Sequence, residues 1–306
     1  MNDKIDIVVP WLNPNEKWYN EYKKYSKNEN PARVRDFGTF KYVLRSIDKN
    51  INWLNKLYII LYDETQVPEW LNTNYDKVKI IYHKDLLPAE RLPNFSSVQV
   101  DMRLSFIKEL SDNFIFINDD MFFTKNIPDT VYFRNNKPVH IPTMRMVNNY
   151  NSLTKAQWGK IEKNNYEFVN KALNSRVKLH FWTGHLPIPF NKTFQQFAWF
   201  KYKKEFEAAL AGEHIRANNN LSNWVFYNLE EATKNCILVD KTQLPKQTYF
   251  SLSNKTTYND IISALNKNSI ICINDSDGLT RNFEKVKNNV LKALNNKFPE
   301  KSKFEK

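Results

Sequence analysis

Short apolar runs alternate with helix-period stretches over the first 117 residues, and that alternation constrains the fold more than any other feature of the chain. Residues 5–9 (IDIVV), 57–62 (LYIILY), 78–83 (VKIIYH) and 113–117 (NFIFI) each read as a buried strand. Between them, Phe40, Val43, Leu44 and Ile47 fall at i, i+3, i+4 and i+7, so they share one helical face, with Thr39 as its N-cap. Ser96 or Ser97 caps a second helix carrying Val100, Leu104, Ile107 and Leu110. Such alternation predicts an α/β fold: a mostly parallel central sheet with helices on both faces, plus helical additions.

The remainder reads less sharply. Residues 13–36 are a polar, aromatic loop with a short helix, and the two prolines of 84–95 predict a loop. AQWGKIEKNNYEFVNKAL reads as a helix, 180–194 as an ordered loop, and 195–232 as helical. CILVD (236–240) and SIICIND (269–275) read as late strands. Phe283, Val286, Val290, Leu291, Leu294 and Phe298 share the face of a last helix, packed on the core. The expected organisation is a single domain over 1–306. Its sheet region spans about 1–130 and 230–280, a helical insertion about 140–230, and the last helix about 280–298.

Net charge is +12, which favours anionic partners, but the excess is dispersed lysine interleaved with asparagine. No dense basic block or RNP-like motif supports nucleic acid. Only five glycines occur, and neither GxGxxG nor GxxxxGK[ST] is present, so a phosphate would have to be held without a glycine-rich cradle. Cys236 and Cys272 lack CxxC neighbours, which argues against a zinc site. There is no signal-peptide h-region and no run of eighteen apolar residues, so a cytoplasmic protein is expected, with peripheral contact at the inner membrane as a further option.

The sharpest chemical feature is FIFINDDMFF (114–123). It sets Asp119 and Asp120 side by side just past the fourth strand, where α/β folds bind ligands. The pair reads equally as a turn and as a hard-cation site, since Mg²⁺ takes one or two carboxylates together with substrate phosphates. His185, between a glycine and a Pro-x-Pro, is either a general acid/base or a structural hydrogen-bonding residue. Arg35 and Arg216 could clamp phosphate or form salt bridges. Asp275 and Asp277, in NDSD, could supply a ligand, a base or a cap.

Four blocks, taken in order, resemble the four regions of the Stealth family of sugar-1-phosphate transferases. The first is IDIVVPWLNPNEKW. The second runs from RVRDFGTFKYVLRSIDKNINWLNKLYII through VPEWL, LPNFSS and FIFINDDMFF. The third is GHLPIPFNK with HIRANNNLSNW. The fourth is CINDSD with the terminal FPEKSKFE. About 130–180 and 230–265 stay unmatched. The resemblance implies a Rossmann-like, GT-A-like nucleotide-sugar core. It also implies transfer of hexose-1-phosphate from a UDP-sugar to a hydroxyl of a polysaccharide or lipid-linked oligosaccharide, with UMP released. Asp119 and Asp120 would hold Mg²⁺ or Mn²⁺. Asp120, His185, Arg216 and Asp275 would be catalytic, and Asn13, Arg35, Arg45, Asn118, Asn274 and Asp277 would contact substrate.

Two departures stand out. Where relatives read W-V-D-G-[SN]-D, this chain has WLNPNE, so Asn13 replaces an acid and Pro14 a glycine, and the acidic role is lost or moved to Glu16. E-L-R becomes TFK, keeping a positive charge at Lys41 but losing the acid. Two other readings stay open: a metal-dependent glycosyltransferase releasing UDP, and a non-catalytic polyanion-binding protein.

Overall fold

The structure is a computed structural model that describes residues 4–26, 34–141, 144–146, 157–175, 179–181, 185–210, 214–276 and 278–306. After β1 (Ile5–Pro10), Asn15 starts helix α1 (Glu16–Tyr25) by accepting from the Trp18 N–H at 2.9 Å. Helix α2 (Phe40–Asn50) leads to β2 (Leu54–Leu61) and β3 (Val78–Tyr82), followed by the short α3 (His83–Leu86) and α4 (Ser97–Asp101). Strand β4 (Asn113–Phe116) completes the predicted parallel set.

The central sheet has the order β10-β4-β1-β2-β3, where β10 is Ile188–Asn191. Strands β1 to β4 are parallel, and β10 runs antiparallel against β4. The mostly parallel α/β reading therefore holds. Period-2 alternation divides the core between the two sheet faces. Ile5, Ile7, Val9, Leu57, Ile59 and Ile115 pack on one side with α2. Val8, Tyr58, Ile60, Phe114, Phe116 and Phe190 pack on the other. Asp6 sits on a fully buried strand position and stays satisfied, accepting from Asn55 Nδ2, the Lys56 N–H and the Ser111 N–H at 2.7–3.0 Å.

Beyond β4, β5 (Met121–Phe123) leaves the sheet, and β6 (Phe133–Arg134) and β7 (Lys137–His140) form a hairpin. Strands β8 (Met144–Met146) and β9 (Leu179–Phe181) pair antiparallel, flanking α5 (Gln157–Ala172) in sequence. Helices α6 (Lys192–Lys201), α7 (Lys203–Leu210) and α8 (Trp224–Ala232) supply the second face. Then come β11 (Ile237–Leu238), β12 (Gln247–Ser251), α9 (Tyr258–Lys267), β13 (Ile270–Asn274) and α10 (Phe283–Lys297). Strand β13 lies between β12, parallel, and β5, antiparallel.

Three local expectations change. Residues 96–110 do not form one helix: α4 stops at Asp101, and a single 3-10 turn follows at Leu104–Phe106. Val98, Gln99, Val100, Asp101, Met102, Leu104 and Ser105 are all buried, so no single stripe describes the segment. Thr39 stands at the start of α2 with helical torsions, but its hydroxyl makes no cap bond and points instead at the Asp119 carbonyl oxygen, 3.4 Å away. Within the expected loop 180–194, Ile188–Asn191 is a strand of the central sheet, so the span about 140–230 is not purely helical. As an edge strand it tolerates Pro189, which has no N–H to donate.

Candidate active site

Because β1, β2 and β4 are parallel, their carboxyl ends share one rim of the sheet, and the chain emerges there from β4 into the acidic pair. Asn118 to Met121 is a turn closed by the Met121 N–H donating to the Asn118 carbonyl at 3.2 Å. The turn and the chemical site are thus the same object. The Ile273 N–H donates to the Asp120 carbonyl at 2.9 Å, so the second sheet fixes the backbone of the pair.

Asp120 is the hub. Its Oδ2 accepts from Asn274 Nδ2 at 2.9 Å and from the Cys272 thiol at 3.2 Å, and lies 3.7 Å from His185 Nε2. Burial works to raise the Asp120 pKa. The nearby His185 charge, with hydrogen bonds from Asn274 and Cys272, outweighs it, and the net direction is down. Asp120 therefore stays ionised. Its other oxygen, Oδ1, is buried with no hydrogen-bond partner among the described residues.

His185 reads out the same field from the other side. Burial disfavours its charged form, but the charge of the adjacent Asp120, and then those of Asp119 and Asp101, raise its pKa overall. Asn118 Nδ2 lies 2.8 Å from His185 Nε2. With the amide donating, Nε2 is an acceptor and the ring is neutral. Turning the amide over lets its oxygen receive the proton of the charged ring. Asn118 can thus serve both protonation states.

Two further acids belong to this neighbourhood. Asp119 is pushed up to about 8, first by burial, then by the charges of Asp120 and Asp36. Asp101 is also pushed up to about 8 by burial, against the pull of Arg216 and His185. Asp101 was not foreseen from sequence. Its only signal is an acid set within the apolar stretch SSVQVDM, and the structure buries it with Val98, Val100 and Met102. Arg216 completes the group. Its Nη2 donates to Ser97 Oγ at 2.8 Å and its guanidinium lies 4.3 Å from the Trp158 ring centre.

Other predicted residues have different work. Arg35 is held bidentately by Asp275 at 2.5 and 2.6 Å and lies over Phe283, so the two charges neutralise each other and Asp275 is not placed as a free base. Asn274 bridges side chains, donating to Asp120 and accepting from Tyr249. Arg45 is buried and gripped bidentately by Glu305 at 2.8 Å, while it caps the Phe298 and Pro299 carbonyls. Its contacts are therefore with the C-terminal segment rather than with the rim. Asn13 lies on the rim just past β1, where its carbonyl accepts from Gln66 Nε2. Glu16 is exposed in the first turn of α1. Asp277 lies outside the described residues.

Two donor sets could hold a metal. Asp120, His185 and Cys272 present ligand atoms within 4.8 Å of one another. Burial, and then the Asp120 charge, raise the Cys272 thiol well above its ordinary value, so beside Asp120 the sulfur serves as a protonated donor. Asp119 and Asp120 offer oxygens only. One buried oxygen of the pair has no partner, and the repulsion between the two carboxyls, with Asp36 nearby, is unrelieved. This fits a hard divalent cation such as Mg²⁺ or Mn²⁺.

Residues 33–141 match the Stealth protein CR2, conserved region 2, the stretch that carries Asp101, Asp119 and Asp120. The chain therefore carries conserved region 2 of the Stealth proteins. The whole of this chain is 29% identical to the capsular polysaccharide phosphotransferase WcwK of Streptococcus pneumoniae, over the whole of that protein. It is also 29% identical to the receptor polysaccharide phosphotransferase WefC of Streptococcus oralis, with 99% of each chain covered. A solved chain described as "WbbM bifunctional glycosytransferase apo structure" matches 97% of this chain and 50% of its own length, with a TM-score of 0.47 and 13% identity. A likeness at that level carries no weight for mechanism.

Proposed function

We propose that this protein transfers hexose-1-phosphate from a UDP-sugar to a hydroxyl of a cell-surface polysaccharide, forming a phosphodiester and releasing UMP. One observation carries the reading: Asp120, held ionised just past the carboxyl end of β4, has His185 Nε2 3.7 Å from its Oδ2, and Asp101 and Arg216 are close enough to act on the same field. The names of the full-length relatives, both polysaccharide phosphotransferases, support it.

The roles follow from the contacts. Asp119 and Asp120 would hold the divalent cation, which when bound neutralises the donor diphosphate. Neutral His185 takes the acceptor hydroxyl proton, and the imidazolium that results is stabilised by Asp120 and by the Asn118 amide oxygen once the amide turns over. The acceptor oxygen bonds to the sugar-bearing phosphorus as the bridging phosphoanhydride bond breaks, and UMP departs with that electron pair. Arg216 stabilises charge that spreads over the phosphoryl oxygens. Asn274 and Cys272 keep Asp120 oriented by donating to its Oδ2.

The test is nucleotide release from UDP-N-acetylglucosamine, UDP-glucose and UDP-galactose with Mg²⁺ and a polysaccharide acceptor. Native protein should release UMP, and Asp120→Asn and His185→Ala should each lose about a hundredfold or more of that rate. Native turnover in either variant would remove these residues from the reaction.

A further inference from the structure

Tyr249 is a large aromatic residue left 47% exposed on β12, an edge strand of its sheet. In register it lies opposite Cys272, the residue whose thiol donates to Asp120. Directly paired residues project to the same face, so the phenol stands over the acidic hub. Its hydroxyl donates to Asn274 Oδ1 at 2.8 Å, and the same amide donates onward to Asp120. The ring meets His185 edge-on, with centroids 6.0 Å apart. The side chain is therefore pinned at both ends, by the strand and by the hydroxyl bond, while much of its surface stays open to solvent. A ligand stacking on it would lose little side-chain entropy.

We propose that Tyr249 is the wall of the donor-sugar subsite, stacking against the hexose ring of the nucleotide sugar. This rests on the phosphotransfer reading above, and the placement follows from connectivity. The reacting phosphorus must come up to His185, and the hexose is bonded to that phosphorus directly. Uridine is one phosphate further away. A ring edge-on to His185 meets the hexose before it meets the base. Sugars stack on aromatic faces through their apolar C–H surfaces, so the ring's contribution is to donor binding and to the choice of hexose. Through Asn274 the hydroxyl is also a positioning group for Asp120.

Three variants separate these parts, each assayed for UMP release with UDP-N-acetylglucosamine, UDP-glucose and UDP-galactose and for binding of UDP alone by calorimetry. Tyr249→Ala should raise the donor KM by about tenfold and leave UDP affinity unchanged, which also shows that the variant is folded. Tyr249→Phe and Tyr249→Trp should keep the native KM, with a fall in kcat where the bond to Asn274 is lost. If Tyr249→Ala turns over UDP-sugar with native KM, the wall is wrong although the reaction stands. If it weakens UDP as much as UDP-sugar, the ring serves the base and the hexose assignment falls. If native protein releases no UMP from any of the three donors, the phosphotransfer reading and this inference fall together.

Discussion

At the scale of single residues, the account turns on what surrounds Asp120. Cys272 is a test of that surrounding. Its thiol is a buried donor at 3.2 Å, held protonated, so a hydroxyl can replace it. Cys272→Ser should stay within a few-fold of native activity, while Cys272→Ala leaves Asp120 one donor short and should cost more, about tenfold. Loss of all turnover in the serine variant, restored only by a thiol, would mean that sulfur binds a metal. Sequence made Asp119 and Asp120 visible because two like charges between apolar runs are conspicuous. It hid Asp101, whose meaning depends on Arg216 and His185, residues brought near only by the fold. It also gave Arg35 and Asp275 separate jobs, although these residues, 240 positions apart, close into one bidentate pair.

At the scale of elements, two buried charge arrangements decide stability in opposite senses. The first ties α2 to the chain terminus. Arg45 and Glu305 are almost fully buried, and the C-terminal segment is also stitched to residues 70–72 by backbone bonds from Asn72 and Lys306. Arg45→Ala leaves Glu305 buried and unpaired and should cost about 3 kcal/mol or more in denaturant unfolding. A substrate-binding Arg45 would instead raise KM at unchanged stability. Burial works to raise the Glu305 pKa, but hydrogen bonds from Arg45 and Ser302 lower it overall. Its stabilisation is therefore present above the ordinary glutamate value and lost as pH falls through the lowered one, so Glu305→Gln should flatten the acid limb of the stability profile.

The second arrangement is the cluster of His140, Glu230 and Glu231 between β7 and α8. His140 Nε2 lies 3.1 Å from Glu230 Oε2, with His140 stacked on Tyr227. Burial lowers His140 to about 3, raises Glu230 well above its ordinary value and raises Glu231 to about 9, so the group is neutral and not an ion pair. A raised carboxyl pKa means stability present below the ordinary value and lost as pH climbs towards about 9. Glu231→Gln should thus raise the Tm at pH 8 and change it little at pH 4.5. An equal shift at both values would contradict the neutral cluster. Strand and helix periodicity made the parallel set legible, but β10 was hidden because Pro187 before it and Pro189 within it read as loop. Nothing in 96–110 announced that the helix would stop at Asp101.

At the scale of the whole molecule, the fold brings its distant blocks to one rim. The first block supplies β1, the second the acidic turn, the third His185 on the approach to β10, and the fourth β13 with Asn274. The terminal FPEKSKFE segment closes the structure, with Phe298 and Phe304 buried in the core. No helix among the described residues is long and apolar enough to cross a membrane. The central claim is that the acceptor attacks phosphorus and not the anomeric carbon. It is tested most directly with a UDP-sugar carrying ³²P at the phosphorus bonded to the sugar. The account predicts that the label enters the polysaccharide while unlabelled UMP is released. Label that remains with UDP, on a polymer that has gained sugar without phosphate, would contradict it.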